Sequence, residues 1–330
     1  MNRILALALA LALLCACLAG CAEDRSNSLN SASVGGDTGN REKFKIGVLS
    51  PTVTEGWESG VTYYAEKHCK SLALDGEIEY RLFLCDSAED MIAGAEQLRT
   101  WGVQAVVVYP QWEGVEGTLQ KLIDDGIPVV SVDLSIDCKG IYCVTYDNEG
   151  MGRQSAQSIV DKIGNSGTVI LLNNPSVGAV STLRQKGFEE KLVEIAPNVT
   201  LYTYAADFTR ESGQAVFTDA LASHDQIDAV FAVNDETAIG VLNALKESSR
   251  SDVQVVAGVG GCQEYLRLMM EEDTDLQILT ALYSPIIAAD AVDNAVALLR
   301  GERVQQTVTV STTVADMETH WIDLDENSPY

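Results

Sequence analysis

The sequence predicts an α/β protein with two doubly wound parallel-sheet lobes. From Phe44 onward, short β-rich segments alternate with amphipathic helical segments, which is the pattern of parallel strands linked by crossover helices. The strand segments are almost continuously apolar, as expected of a sheet that helices cover on both faces. There are too many segments for one sheet, and their rhythm breaks over residues 138–150. We therefore expect one lobe before the break and a second lobe after it.

Predicted strands lie on both sides of this break. They are Lys45–Leu49, Glu79–Leu84, Ala105–Tyr109, Pro128–Asp133, Thr168–Asn173, Val199–Tyr204, Ala229–Val233, Val253–Ala257 and Gln277–Leu282. In doubly wound folds the ligand binds beyond the carboxyl ends of the strands. The residues that directly follow each strand are therefore the first candidates for a functional site.

Several segments between the strands carry apolar residues at helical spacing. Three apolar faces are formed by Val115, Leu119, Leu122 and Ile123, by Ala156, Ile159, Val160 and Ile163, and by Ala238, Val241, Leu242 and Leu245. These segments are predicted to be helices that pack on the sheets.

The segment ahead of the folded body carries an export signal. Arg3 is the only charge before the apolar run Ile4–Leu18, and small residues then lead to Cys21. A basic start, a short apolar core and a small-residue cleavage site predict that residues 1–20 are a signal peptide. The sequence Leu-Ala-Gly-Cys resembles the bacterial lipobox, which implies lipidation of Cys21. An ordinary signal peptide with a chance cysteine is the alternative. Residues 22–43 are rich in Ser, Asn and Gly and have no apolar period, which predicts a disordered spacer.

The formal net charge of −26 limits the classes of partner. An acidic surface repels nucleic-acid phosphates, so we expect no nucleic-acid partner. It also disfavours contact between the folded body and anionic lipids, which leaves the lipid on Cys21 as the membrane attachment. We expect an extracytoplasmic protein, anchored to the cell membrane or to a periplasmic membrane face.

The cysteines and histidines predict no metal site and no cofactor. Five cysteines remain after the signal peptide and Cys21, and an odd number leaves at least one thiol unpaired within the chain. Cys138 and Cys143 flank a short segment and could close a small disulfide loop, which the sequence leaves open. The three histidines are far apart and match no zinc-ligand spacing.

A series of short motifs lies along the predicted fold. The motifs are Ile-Pro-Val-Val-Ser-Val-Asp (127–133), Tyr-Asp-Asn (146–148), Arg-Gln-Lys-Gly-Phe (184–188), Ala-Asp-Phe-Thr-Arg (206–210) and Ala-Val-Asn-Asp-Glu (232–236). In this order and spacing they resemble the periplasmic sugar-binding proteins of the ribose-binding type, from about Phe44 to Val314. The resemblance implies two lobes joined by a three-strand hinge, a small-molecule solute in the cleft, and delivery to an ABC permease.

The resemblance also implies where the chain passes between the lobes. Crossings near residues 147–148, 283–284 and 310 would give an N-terminal lobe of residues 44–147 plus 284–310. The C-terminal lobe and tail would then contain residues 148–283 plus 311–330.

Three polar residues match ligand contacts of this family. Asp133 matches a carboxylate that accepts from sugar hydroxyls, Arg184 matches a guanidinium donor, and Asn234 matches an amide. Each has a structural alternative: a turn for Asp133, a surface ion pair with the glutamates at 189 and 190 for Arg184, and helix capping for Asn234 or Asp235. We expect one residue of the pair Asn234 and Asp235 to cap the helix while Asn234 faces the ligand.

Aromatic residues match the family's ring contacts. Trp57 and Phe208 match the side chains that sandwich a sugar ring, a role that suits aromatic faces. Tyr109, at the end of a predicted strand, and Trp112, just after it, are further candidates for the pocket wall.

The sequence departs from ribose binders at three positions. It has Leu134 where they have an arginine, Gly260 where they have an aspartate, and Tyr283 where they have a glutamine. A hydrogen bond to a charged group contributes roughly 1.5–3 kcal/mol, so these changes argue against ribose. A less hydroxylated, larger or partly aromatic solute fits better, with Tyr283 in contact with it and Cys262 in the pocket wall.

Motifs of other functional classes are absent from the sequence. It contains no phosphate loop, no Gly-x-Gly-x-x-Gly fingerprint and no Gly-x-Ser-x-Gly elbow, so we expect no enzyme. A sugar-responsive repressor would need a basic helix-turn-helix where this chain has an acidic, polar spacer. A sensory subunit that reports a non-sugar ligand to a membrane receptor or kinase stays open. We expect a monomer.

Overall fold

The computed structural model describes residues 42–54, 56–174, 176, 179–271, 275–319 and 325–330. The predicted signal peptide and Cys21 lie outside these residues. Within them, no helix is both long and apolar enough to cross a bilayer.

The first of two sheets is entirely parallel. It contains β1 (Phe44–Pro51), β2 (Ile78–Cys85), β3 (Ala105–Val108), β4 (Val129–Val132), β5 (Tyr142–Tyr146) and β11 (Thr307–Val310). Their spatial order is β2-β1-β3-β4-β5-β11. Every residue of β3 and β4 is buried, as expected of central strands covered on both faces.

The second sheet repeats this order. It contains β6 (Ser166–Asn173), β7 (Asn198–Ala205), β8 (Ala229–Ala232), β9 (Val255–Gly260), β10 (Gln277–Leu282) and β12 (Val314–Ala315). The spatial order is β7-β6-β8-β9-β10-β12, and only the edge pair β10–β12 is antiparallel. Central strands β4 and β9 therefore occupy equivalent positions in the two sheets.

Helices connect the strands in the order expected of a doubly wound fold. In the described residues they are α1 (Gly56–Leu74), α2 (Ala88–Trp101), α3 (Glu116–Asp124), α4 (Asn148–Ile163), α5 (Ala179–Ile195), α6 (Arg210–Ser223), α7 (Asp235–Glu247), α8 (Gln263–Glu271) and α9 (Ile287–Leu299). The three predicted apolar faces fall on α3, α4 and α7, where Leu119, Ile159 and Val241 are buried. The Ser87 side chain caps α2 by accepting from the N–H of Asp90, and left-handed Gly102 ends that helix.

The chain passes between the sheets at three places. The first sheet is left after β5, through α4 into β6; the second is left after β10, through α9 into β11; and β11 leads directly to β12. Helix α9 packs on β3, β4 and β5, so it belongs to the first sheet. Helix α4 contacts β8, β9 and β10 of the second sheet.

This topology confirms the predicted fold class, two parallel-sheet α/β lobes. The predicted strands correspond to β1–β4 and β6–β10, whereas β5, β11 and β12 were not predicted. Strand β5 lies inside the apparent break, and β11 leaves alternate residues exposed.

The disulfide left open by the sequence does not form. Cys138 and Cys143 are both free thiols, and so are the other three cysteines of the described residues. The Cys138 Sγ lies 3.3 Å from the Glu116 carbonyl oxygen, whereas the Cys143 Sγ lies 3.9 Å from that of Leu134. Burial raises the pKa of the Cys143 thiol to about 11. The two sulfurs thus have different partners in the interior.

Candidate functional site

Asp133 directly follows β4 and is held in an uncommon backbone conformation. Its φ is 61°, in the left-handed region, and it is the only residue other than glycine with a positive φ in the described part of the chain. Aspartate tolerates this region better than most residues, but the conformation still has an energetic cost. Such strain is concentrated at functional sites. The conformation therefore supports the expected role of Asp133.

The Asp133 carboxylate is buried and bonded to side chains. It is 8% exposed, and it accepts hydrogen bonds from the Tyr283 hydroxyl and, at 3.3 Å, from the Thr145 hydroxyl. Burial raises the pKa of this carboxyl, while the Tyr283 hydrogen bond and the nearby Arg184 charge oppose the shift. The group is an acceptor whose present partners are hydroxyls, the kind of donor that a sugar provides.

Tyr283 lies at the centre of an aromatic cluster. Its ring stacks on Trp57, with centroids 4.7 Å apart and planes 18° apart. The Trp57 Nε1 donates to the Tyr283 carbonyl oxygen at 2.7 Å, and Tyr109 lies 5.8 Å from Trp57. Tyr146 lies 5.3 Å from the Tyr283 ring. The end of β10, the start of α1 and the end of β3 thus bring three of the predicted site residues together.

Arg184 enters the same region from α5 of the second lobe. It is 2% exposed, and its guanidinium carbon lies 4.5 Å from the Tyr283 ring centroid. The Nε donates to the Asn148 Oδ1 at 2.9 Å, and one terminal nitrogen donates to the Val233 carbonyl at 2.8 Å. Burial lowers the pKa of the guanidinium. The alternative of a surface ion pair with residues 189 and 190 is wrong.

The second terminal nitrogen of Arg184, Nη2, is buried without a hydrogen-bond partner among the described residues. Buried charged donors are usually paired, because an unmade hydrogen bond costs about 1–3 kcal/mol or more. Tyr283 lies between the Asp133 carboxylate of the first lobe and the Arg184 guanidinium of the second. The Nη2 of that guanidinium can still donate a hydrogen bond.

Asn234, which was expected to face the ligand, caps α7. The Asn234 Oδ1 caps α7 by accepting from the Thr237 N–H at 3.1 Å, so Asn234 is itself the capping residue. Its amide nitrogen lies 3.5 Å from the carbonyl oxygen of Phe208, whose ring is half-buried against the core. One N–H of this amide and the second lone pair of Oδ1 remain for a ligand.

Asp235 has a structural environment that sequence reasoning did not find. It is buried and accepts from the N–H groups of Gly261 at 2.5 Å and Cys262 at 2.9 Å, and from the Thr280 hydroxyl at 2.7 Å. Burial raises the pKa of its carboxyl to about 6, against the lowering effect of these three hydrogen bonds. Asp235 therefore fixes the turn between β9 and α8.

Trp112 lies apart from the other predicted aromatic residues. It packs with the buried cluster that contains Val106, Val108 and Leu119. Tyr109 and Trp57 belong instead to the cluster on the opposite face of the first sheet. Asn148 was also missed as a contact of Arg184, although it belongs to the Tyr-Asp-Asn motif that identified the family resemblance.

The arrangement suits a polar solute with apolar faces. An acid from one lobe and a guanidinium from the other offer an acceptor and a donor, and the aromatic rings offer stacking surfaces. In the part of the chain that the structure describes, no three His, Cys, Asp or Glu side chains are grouped to hold a metal ion.

Comparisons with known proteins agree with this fold. A family profile described as "Periplasmic binding protein domain" matches residues 46–303. The chain is 30% identical to the ribose import binding protein of Escherichia coli, over 69% of this chain and 78% of the relative. It is 27% identical to a xylitol-binding protein of Mycolicibacterium smegmatis, over 84% of this chain and 78% of the relative.

The solved structures include close matches in fold. A solute-binding protein of Actinobacillus succinogenes with bound D-allose has a TM-score of 0.71 at 21% identity, covering 85% of this chain and all (100%) of that one. These relatives are binding proteins of transporters rather than enzymes, and the family works outside the cytoplasm. The resemblance inferred from the sequence motifs is confirmed.

Proposed function

The chain belongs to the periplasmic binding protein family, and from this premise we propose that it binds a sugar or sugar-like solute in the interlobe cleft and delivers it to an ABC importer. One observation carries the proposal. Tyr283 lies between Asp133 of the first lobe and Arg184 of the second, and a buried nitrogen of Arg184 has no partner among the described residues. A hydroxylated solute supplies donors for the acid and acceptors for the guanidinium.

Closure of the two lobes around the solute couples binding to recognition by the permease. A solute that contacts Asp133 and Arg184 together binds the closed form better than the open form, and this difference shifts the population. The three connections between the sheets, near residues 147, 284 and 311, are where we propose that the hinge lies. The N-terminal lobe is then residues 44–147 with 284–310, and the C-terminal lobe and tail are residues 148–283 with 311–330.

The proposed solute differs from ribose in its polar groups. Leu134 and Gly260 remove two charges that ribose binders use, and the Tyr283 hydroxyl is already bonded to Asp133. Fewer charged contacts favour a solute with fewer hydroxyls or with an apolar face that can stack on the Trp57 ring.

A thermal-shift screen followed by calorimetry tests this proposal. The solutes are D-ribose, xylitol, D-allose, L-arabinose, myo-inositol, glycerol, nucleosides and amino acids. A true ligand at 100 times its Kd adds about 2.7 kcal/mol to the free energy of unfolding, which raises Tm by roughly 5 °C. If only nucleosides or amino acids bind, the sugar class is wrong.

Matched arginine variants test the site. Arg184→Lys keeps the charge but loses the planar fork, and it should weaken solute binding at least about tenfold. Arg153→Ala is the control, because Arg153 pairs with Glu149 and Glu190 on the surface of the second lobe. Equal affinities in the two variants would place the ligand elsewhere.

Delivery and anchoring need experiments in cells. Deleting the gene should reduce uptake of the identified solute, whereas normal uptake with altered transcription would favour the sensory role. We propose that Cys21 carries the lipid, because it ends a signal peptide with a lipobox-like sequence. Labelled fatty acid should enter the wild-type protein and not the Cys21→Ser variant.

A further inference from the structure

The segment of residues 325–330 lies against the first lobe. The Asp325 carboxylate accepts from the Lys67 ammonium at 2.9 Å and from the Tyr64 hydroxyl at 3.2 Å. Both partners are on α1. Within the segment, the Ser328 N–H donates to the Asp325 carbonyl at 2.8 Å, and the Tyr330 N–H donates to the Ser328 hydroxyl at 3.3 Å. These bonds fold the segment into a compact turn that directs Tyr330.

Tyr330 reaches from the first lobe to the second. A Cβ added at Gly60 on α1 would lie 3.3 Å from the Tyr330 Cβ, whereas one added at Gly260 at the end of β9 would collide with the Tyr330 hydroxyl. Burial raises the pKa of the Tyr330 phenol well above its ordinary value, and Asp235, Cys262 and Arg184 are among the groups that act on it electrostatically. The Tyr330 side chain therefore lies between α1 of the first lobe and the end of β9 of the second.

The space for this ring exists because position 260 has no side chain. Gly260 is the last residue of β9 and carries no Cβ. Any side chain at position 260 would also approach Asp235, whose Oδ2 lies 2.6 Å from the ideal Cβ position. A side chain at position 260 and the tyrosine ring in its present place therefore exclude each other.

We propose that residues 325–330 occupy the cleft as a tethered competitor of the solute, with Tyr330 holding the two lobes together until the solute displaces it. This inference rests on the proposed function for the identity of the site. Like a solute, Tyr330 is in contact with both lobes, and its tether makes its insertion intramolecular. A site that is free in only a tenth of the molecules has an apparent affinity about tenfold weaker than its intrinsic affinity. The segment therefore raises the solute concentration at which the lobes respond.

Tyr330→Ala tests occupancy of the cleft without any ligand. Hydrogen–deuterium exchange of the full-length variant should become several-fold faster in peptides that cover residues 56–62 and 259–263, which belong to opposite lobes. Tyr202→Ala is the control, because Tyr202 is an exposed tyrosine whose ring contacts His224 on the second lobe. If exchange at both cleft walls is unchanged in Tyr330→Ala, the segment does not occupy the cleft in solution.

Binding measurements test the competition. Tyr330→Ala, and Asp325→Asn, which weakens the attachment to α1, should each bind the best solute of the screen about tenfold more tightly than the wild type. Weaker binding by Tyr330→Ala would make Tyr330 a wall of the pocket and would overturn the proposal. If no solute binds either protein, the proposed function fails, and the exchange measurement alone decides whether Tyr330 fills the cleft.

A double-mutant cycle between Gly260 and Tyr330 tests their contact directly. Gly260→Ala should release the segment, so its effect on exchange at residues 56–62 should be large in the wild type and small in the Tyr330→Ala background. The nearby Asp235 contact contributes equally in both backgrounds and cancels in the cycle. Additive effects would show that Gly260 and Tyr330 do not touch.

Discussion

The ends of β4 and β9 occupy equivalent positions in the two sheets, yet they are built in opposite ways. Strand β4 is followed by Asp133, which keeps a carboxylate at the strand end despite a left-handed backbone. Strand β9 ends in Gly260 and Gly261, which have no side chains. There, the carboxylate of Asp235, which follows the neighbouring strand β8, accepts hydrogen bonds from the N–H groups of Gly261 and Cys262.

The partners of these two carboxylates explain their different roles. Asp133 is bonded to two hydroxyls, one of them on Tyr283 at a connection between the lobes, so it can exchange a hydroxyl of the protein for one of a solute. Asp235 is bonded to two backbone N–H groups and a buried threonine of its own lobe. All three donors belong to the second lobe, so these bonds do not join the two lobes. Hence Asp133 is suited to binding, and Asp235 is suited to holding its lobe together.

The largest expected effect is on stability, from Asp235→Ala. The substitution leaves the N–H groups of Gly261 and Cys262 unpaired, and each such group costs about 1–3 kcal/mol. It also leaves the Thr280 hydroxyl with only the Ala281 carbonyl oxygen, at 3.5 Å, as acceptor. We expect a loss of roughly 3–5 kcal/mol in the free energy of unfolding, measured by urea denaturation. If Asp235→Ala lost less than about 1 kcal/mol of the free energy of unfolding, Asp235 would not differ from Asp133 in its contribution to stability.

The pH dependence of the matched variant Asp235→Asn checks the same contrast. Burial raises the pKa of Asp235 to about 6 in the folded protein, against about 3.9 in the unfolded chain. The folded state therefore binds this proton more tightly, and its contribution to stability is lost as pH rises from about 4 to about 6. Over this range the free energy of unfolding of the wild type should fall by up to about 3 kcal/mol relative to that of Asp235→Asn. If the free energies of unfolding of the two proteins changed with pH in parallel, the raised pKa would be contradicted.

The next effect is on affinity, from Asp133→Asn. Asparagine tolerates the left-handed backbone as aspartate does, so Tm should change little. Loss of a charged acceptor should weaken solute binding by roughly 1.5–3 kcal/mol, about 10- to 150-fold. Calorimetry beside Asp137→Asn, an exposed aspartate of the same connection, provides the control. A Tm loss as large as that of Asp235→Ala would make both carboxylates structural.

The sequence was sufficient for the parts of this contrast that depend on local pattern. Apolar runs located the central strands, and the resemblance of the motifs to sugar-binding proteins singled out Asp133 and Arg184 as candidates. It was not sufficient to divide the roles of Asn234 and Asp235, because both residue types cap helices. Their roles depend on the distance from α7 to the Gly261 N–H, which is set by packing between distant segments. Tyr330 likewise belongs to no strand or helix pattern.

A smaller effect is expected from Tyr283→Phe, which removes the hydroxyl bonded to Asp133 and keeps the ring stacked on Trp57. The ligand-free protein should lose about 1 kcal/mol of stability. Because this hydrogen bond lowers the pKa of Asp133, its removal should raise that pKa further, which carboxyl NMR titration can follow. Tyr202→Phe, at an exposed position, is the control. An unchanged Asp133 pKa would mean that the hydroxyl and the carboxylate are not bonded in solution.

The smallest expected effect on binding is that of Trp112→Phe. Comparing this variant with Trp57→Phe tests which face of the first sheet contacts the solute. Trp112 packs with the cluster around Leu119, whereas Trp57 packs on the opposite face with Tyr283. Trp112→Phe should therefore leave the solute Kd within about twofold while lowering stability by about 1 kcal/mol through lost packing. Trp57→Phe should weaken binding, because it loses the Nε1 donor and part of the stacking surface. If calorimetry gave Trp112→Phe and Trp57→Phe the same loss of affinity, the solute could not be confined to the face that carries Trp57. The difference between the ends of β4 and β9 would then no longer explain where the solute binds.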